Sequence, residues 1–119
     1  MKDLSFFTKI YISTRPVDFR KQARGLALLS KDVLQCDPLE NRALFVFTNR
    51  SRDSIRLLYW DLTGFAMWSK VLEKDRFSWP KKVEGSKSVI SSHDLKWLLQ
   101  GIDLSKVKKH VPLEYKKIS

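Results

Sequence analysis

At 119 residues the chain is the length of one ordinary domain, enough to bury a core without metals or disulfides to staple it. Lysine and arginine number 23 against 13 aspartates and glutamates, a formal +10 that draws phosphate backbones first and anionic membrane surfaces second. No apolar stretch approaches the ~20 residues of a membrane span, the single Cys36 excludes an internal disulfide, and His93 and His110 are too few and too far apart for a zinc pattern.

In chain order, "MKDLSFFTKIYIS" carries an early acid and no uninterrupted apolar core, so it does not read as a signal peptide, and a cytoplasmic protein is expected. Lys9 to Ser13 is β-branched and aromatic and predicts a strand, ended where Pro16 denies Arg15 the helical region. From Phe19 the apolar positions Phe19, Ala23, Leu26, Ala27, Val33 and Leu34 recur at three and four. That spacing predicts a helix over about 19–35 with Asp18 as N-cap, and Gly25 inside it marks close packing.

"ALFVF" (43–47) and "IRLLYW" (55–60) are too short for helices and predict an antiparallel pair. Asp61 and Gly64 suit a type I turn followed by a left-handed residue, with Phe65 to Glu73 returning as a third strand. Phe77 and Trp79 anchor the connector that follows, punctuated by Pro80 and Gly85. Val89 and Ile90 lead into a second helix, about 92–100, in which Ser91 and Asp94 form a capping box and Gly101 is the stop. Leu95, Leu98, Leu99 and Ile102 share its buried face and Trp97 lies nearly opposite them. The expectation is an α+β fold over 1–104, a mainly antiparallel sheet of about three to five strands with two helices, followed by a mobile basic tail, 105–119.

Two basic groups stand out. Arg20, Arg24 and Lys31 fall within about 40° of one another on the expected first helix, beside its apolar stripe. The loop "TNRSRDS" (48–54) carries Arg50 and Arg52, with Asn49, Ser51 and Ser54 as further phosphate-contacting groups, Asp53 as a partial offset, and Arg56 just beyond. Each group equally suits a solvated polar surface. The aromatics of the central strands suit either a covered core or a platform for single-stranded nucleic acid. Asp18, Asp61 and Asp103 sit at element boundaries as caps and turn formers. No carboxylate pair, nucleophile with a base, or glycine-rich phosphate loop suggests catalysis.

The ordered set "RPVDFRK", "GLA", "LFVF", "RSRDSIRLLYWD", "TGF", "KVLEKDRFSWP" and "LLQGID", over roughly residues 10–104, resembles the small TnpB accessory proteins of the IS-sixty-six class of bacterial insertion sequences. The resemblance implies a non-catalytic partner of a separate, larger transposase. Asp18, Arg20 and Lys21 match the family's Asp-x-Arg-Lys signature, Arg50 and Arg52 its basic loop, and Asp61, Thr63, Gly64, Lys70, Leu72, Trp79 and Pro80 its central block. Gln22 and Leu62 stand where the family usually has Gly, and Leu104 where it often has Trp. The expected role is DNA binding in transposition through Arg20, Lys21, Arg24, Arg50, Arg52, Arg56 and Lys70, at insertion-sequence ends or target, with no cofactor or metal. The alternatives are an adaptor that binds the transposase through exposed aromatics such as Trp97, and a small metal-dependent nuclease.

Overall fold

The structure is a computed structural model that describes residues 3–79, 85 and 87–100. Pro80, Gly101, Ile102, Asp103, Leu104, His110 and the tail 105–119, all named above, lie outside the described residues. The elements are β1 (Lys9–Ser13), α1 (Ala23–Asp32), β2 (Ala43–Thr48), β3 (Ser54–Asp61), β4 (Gly64–Val71), β5 (Lys87–Ile90) and α2 (Ser92–Leu99), with a short 3-10 turn at Leu4–Phe6.

Among the described residues the strands form one sheet in the order β4-β3-β2-β1-β5. β2, β3 and β4 are the expected antiparallel meander. β1 joins β2 in parallel, Ile10 opposite Leu44 and Ile12 opposite Val46, so α1 is the crossover of a β1-α1-β2 unit, and β5 closes the far edge antiparallel to β1. The result is the expected α+β class, with one parallel pair that local patterns did not reveal.

Both faces of the sheet are covered, which is why β2 is buried at every position rather than alternating. On one face Ile10, Ile12, Leu44, Val46, Ile55, Leu57 and Tyr59 pack with Leu4, Phe7, Phe77, Trp79 and the α2 residues Leu95 and Leu98. On the other, Phe45, Phe47 and Leu58 pack under Leu26 and Ala27 of α1, with Leu34 and Cys36. Phe45 and Phe47 are fully inaccessible and Tyr59 nearly so, which leaves Trp60, half-buried and edge-on to Phe65, as the partly accessible aromatic of β2 and β3. Phe77 and Trp79 anchor the connector as expected, and the Trp79 indole Nε1 donates to the Ser13 carbonyl at 2.7 Å. Ser91 caps α2, its Oγ accepting from the Asp94 N–H at 3.0 Å.

Two local expectations are corrected. The first helix begins at Ala23, not Phe19, with Gln22 as N-cap. Asp18 caps a tight turn instead, accepting from the Arg20 N–H, while the Arg56 guanidinium takes the carbonyls of Phe19 and Lys21. In a helix starting at 19 those carbonyls would accept from Ala23 and Gly25, so a side chain from β3 outcompetes the first helical turn. Arg20 therefore precedes the helix, and the expected row of Arg20, Arg24 and Lys31 on one helix face does not form. The second correction is the β3–β4 turn. Asp61 pairs with Gly64 across a two-residue loop, and Leu62 has φ +55. The tight hairpin needs left-handed backbone there to match the strand twist, so the glycine missing at 62 is felt.

Candidate nucleic-acid interface

Parallel pairing of β1 and β2 brings their C-terminal ends side by side, and the two segments that leave them wall a cleft. Pro16, Val17, Asp18, Phe19 and Arg20 follow β1; Asn49, Arg50 and Ser51 follow β2. The cleft encloses about 660 Å³. The Val17 N–H donates to the Thr48 carbonyl at 2.9 Å and ties the walls together at their base. A crevice beyond the carboxyl ends of parallel strands is the usual ligand position in sheets of this kind, and α1 starts beside it with no acidic residue in its first turn.

The first wall is held from below. Arg56, on β3 opposite Phe47, reaches through so that Nη1 donates to the carbonyls of Phe19 and Lys21, each at 2.9 Å. Its Cζ lies 4.4 Å from the Phe19 ring centroid, a cation–π contact. Arg56 was expected on DNA; its guanidinium is instead committed to the protein, with Nε buried and without a hydrogen-bond partner among the described residues.

Within that wall Asp18 and Arg20 form a forked ion pair. Arg20 Nη2 lies 2.7 Å from Asp18 Oδ2, and Nε donates to both carboxylate oxygens. Hydrogen bonds from the Arg20 side chain, then from its backbone N–H, hold the Asp18 carboxyl at about 2. Asp18 is thus ionised throughout the working range, a fixed negative charge against which any phosphate competes for Arg20.

The second wall is organised by Asp53. Its Oδ1 accepts from Asn49 Nδ2 at 2.8 Å and Ser51 Oγ at 3.0 Å, and those bonds keep its pKa low. Asn49 Oδ1 in turn accepts from the Ser54 N–H. Asn49 and Ser51, expected as phosphate contacts, spend their polar groups on the loop itself. Arg52 sits at φ +61, half-buried, with its backbone bonded to Asn49 and Phe77. Arg50 is exposed at the cleft.

Of the seven expected DNA-binding residues, Arg20 and Arg50 line the cleft. Lys21 and Arg24 are exposed at the entry to α1, and Arg52 follows the second wall in the same loop without lining the cleft. Lys70 lies elsewhere: its Nζ donates to the Leu99 carbonyl at 2.8 Å and caps the end of α2. Trp97 is half-buried against the His93 ring, centroids 4.2 Å apart, rather than projecting alone. Pro16, Val17 and Phe19 were not singled out as site residues, because nothing local distinguishes them from core and turn residues. Among the described residues no group of three or more His, Cys, Asp or Glu could hold a metal, and no helix is long and apolar enough to cross a membrane.

Fold and cleft together define a small, strongly basic α+β protein with an arginine-flanked crevice at the ends of its parallel strands. The family described as "IS66 Orf2 like protein" matches residues 8–109, and the chain belongs to that family, the accessory proteins of IS66-type transposition. It is 34% identical over 101 residues to the uncharacterized protein y4jC of Sinorhizobium fredii (strain NBRC 101917 / NGR234), covering 85% of each chain. It is 37% identical over 95 residues to the uncharacterized protein y4hO of the same strain, covering 80% of this chain and 81% of the relative. No solved structure matches.

Proposed function

We propose that this chain is a non-catalytic DNA-binding factor that assists a separate transposase, holding insertion-sequence ends or target DNA through phosphate contacts. The observation that carries this reading is the cleft, where segments 30 residues apart in sequence, each with exposed arginine, are joined into one surface. Arg20, Lys21, Arg24, Arg50 and Arg52 are the contacting residues. Arg56 positions the first wall, and Lys70, on the edge strand β4, braces the end of α2. The start of α1 adds favourable backbone N–H dipoles to the same surface.

Phosphate contact of this kind releases counterions, so log Kd against log salt has a slope of about 0.9 per neutralised phosphate. A titration on blunt duplex should show a steep salt dependence, and Arg50→Ala/Arg52→Ala should lower its slope by about 2. Absence of binding at low salt, or binding indifferent to salt, would falsify the reading.

The adaptor reading draws support from the His93–Trp97 pair on the outer side of α2, a half-exposed aromatic patch of the type enriched at interfaces. Pull-down with the transposase in the presence of nuclease separates the two. A complex that survives DNA digestion and is lost in Trp97→Ala supports the adaptor.

A further inference from the structure

The walls of the cleft do not suit phosphate alone. A surface that meets only anions is polar throughout, because apolar atoms around a phosphate remove water from it and return nothing. Here Pro16, Val17 and the half-buried Phe19 line the same hollow as the exposed Arg20 and Arg50, with Val17 and Phe19 also packed on the core under α1 and Arg56 over the Phe19 ring. Apolar walls beside a cationic flank match a ligand with a flat apolar part and an anionic part. A base pair within a duplex cannot use such walls, since its faces are stacked and only its edges and backbone are presented. The cleft volume of about 660 Å³ falls within the ~300–1,000 Å³ of small-ligand sites, room for a nucleotide rather than a double helix.

Resting on the DNA-binding reading above, we infer that the cleft takes an unpaired nucleotide of single-stranded DNA, its base against Pro16, Val17 and Phe19 and its phosphates against Arg20 and Arg50. The aromatic wall is set before the ligand arrives, because Arg56 holds both the Phe19 ring and the Phe19 and Lys21 carbonyls. Such preorganisation removes an ordering cost from binding. Asn49 and Ser51 have their side-chain polar groups turned to Asp53, so the base is held by its faces and not read at its edges. Recognition is therefore tolerant of sequence, as stacking sites are. An acidic peptide would find the same arginines but has no flat apolar group to cover Pro16 and Phe19.

The test compares hairpin duplexes of equal phosphate count, one blunt and one with a short single-stranded overhang, by fluorescence anisotropy with the full chain. The overhang should bind about fivefold tighter or more, the effect of one stacked base, with thymine and adenine overhangs equivalent within about threefold. Ser51→Trp, which fills the cleft from an exposed loop position without changing charge, should bring the ratio of overhang to blunt-duplex affinity down to about one. Unlabelled oligothymidine should displace the overhang probe where a glutamate peptide of equal charge does not. Equal affinity of the wild-type chain for both duplexes overturns the inference while the DNA-binding reading stands. Failure of both duplexes to bind at low salt overturns both readings. A preference that survives Ser51→Trp in a folded variant, or equal displacement by the peptide, also overturns the inference.

Discussion

Replacing Leu62 by glycine should stabilise this protein although it removes a large apolar side chain. Leu62 is the first residue of the two-residue loop between Asp61 and Gly64 and is held at φ +55. Left-handed backbone costs a residue with a Cβ ~1–2 kcal/mol. Glycine escapes that term but gives back ~0.5–1 kcal/mol through the greater freedom of the unfolded chain. The side chain is 87% exposed, so almost no buried area is forfeited. The net gain is ~0.5–1 kcal/mol, which at this chain length raises Tm by about 2–4 °C. Urea unfolding followed by circular dichroism should give a higher midpoint with an unchanged m-value. A graded series isolates the cause: Leu62→Ala keeps the Cβ and should not stabilise, Leu62→Asn should gain part of the effect, and Leu62→Gly most. If alanine matched glycine, the strain argument would be wrong and the effect would belong to the exposed leucine itself.

Arg56→Lys should cost ~1–3 kcal/mol, because an ammonium cannot reproduce the guanidinium's paired donation to Phe19 and Lys21 while stacked on the Phe19 ring; denaturant unfolding measures the loss, and a neutral result would remove Arg56 as the brace of the cleft. Trp79→Phe keeps the ring but leaves the buried Ser13 carbonyl without the indole donor, an expected loss of ~1–2 kcal/mol by the same assay. The Asp18 carboxyl should titrate near 2 by carbon NMR and move back toward its ordinary 3.8 in Arg20→Ala. Since the folded value is the lower one, the Asp18–Arg20 contribution to stability is complete above about 4 and fades as pH falls through about 2. Asp18→Asn removes the carboxylate that competes for Arg20 and should tighten duplex binding about two- to fivefold at low salt, an effect that shrinks as salt is added.

Legibility in the sequence followed the range of the forces involved. "KIYIS" is strand β1 to the residue, and the Ser91–Asp94 cap is found where its spacing places it, because both depend on neighbours within a few positions. The start of the first helix was missed since its competitor, Arg56, lies more than 30 residues away. The hairpin turn was missed because register, not composition, set its length. Among the basic residues, charge alone could not separate Arg50, exposed at the cleft, from Arg56 and Lys70, whose Nη1 and Nζ donate to carbonyls of distant elements.

What the sequence by itself determined is the material of the molecule: apolar runs that must be buried, caps and turn formers between them, a large positive charge, and the ordered motifs that mark its family. Those properties reside in single residues or short spacings. Only the tertiary structure decided that β1 lies parallel to β2 and that the chain segments leaving them face one another across a cleft. That juxtaposition arises from burying both faces of the sheet at once, with α1 on one side and α2 on the other. Burial is a property of the whole chain, so no local stretch encodes the cleft, and the same burial assigns one arginine to the solvent and another to the scaffold.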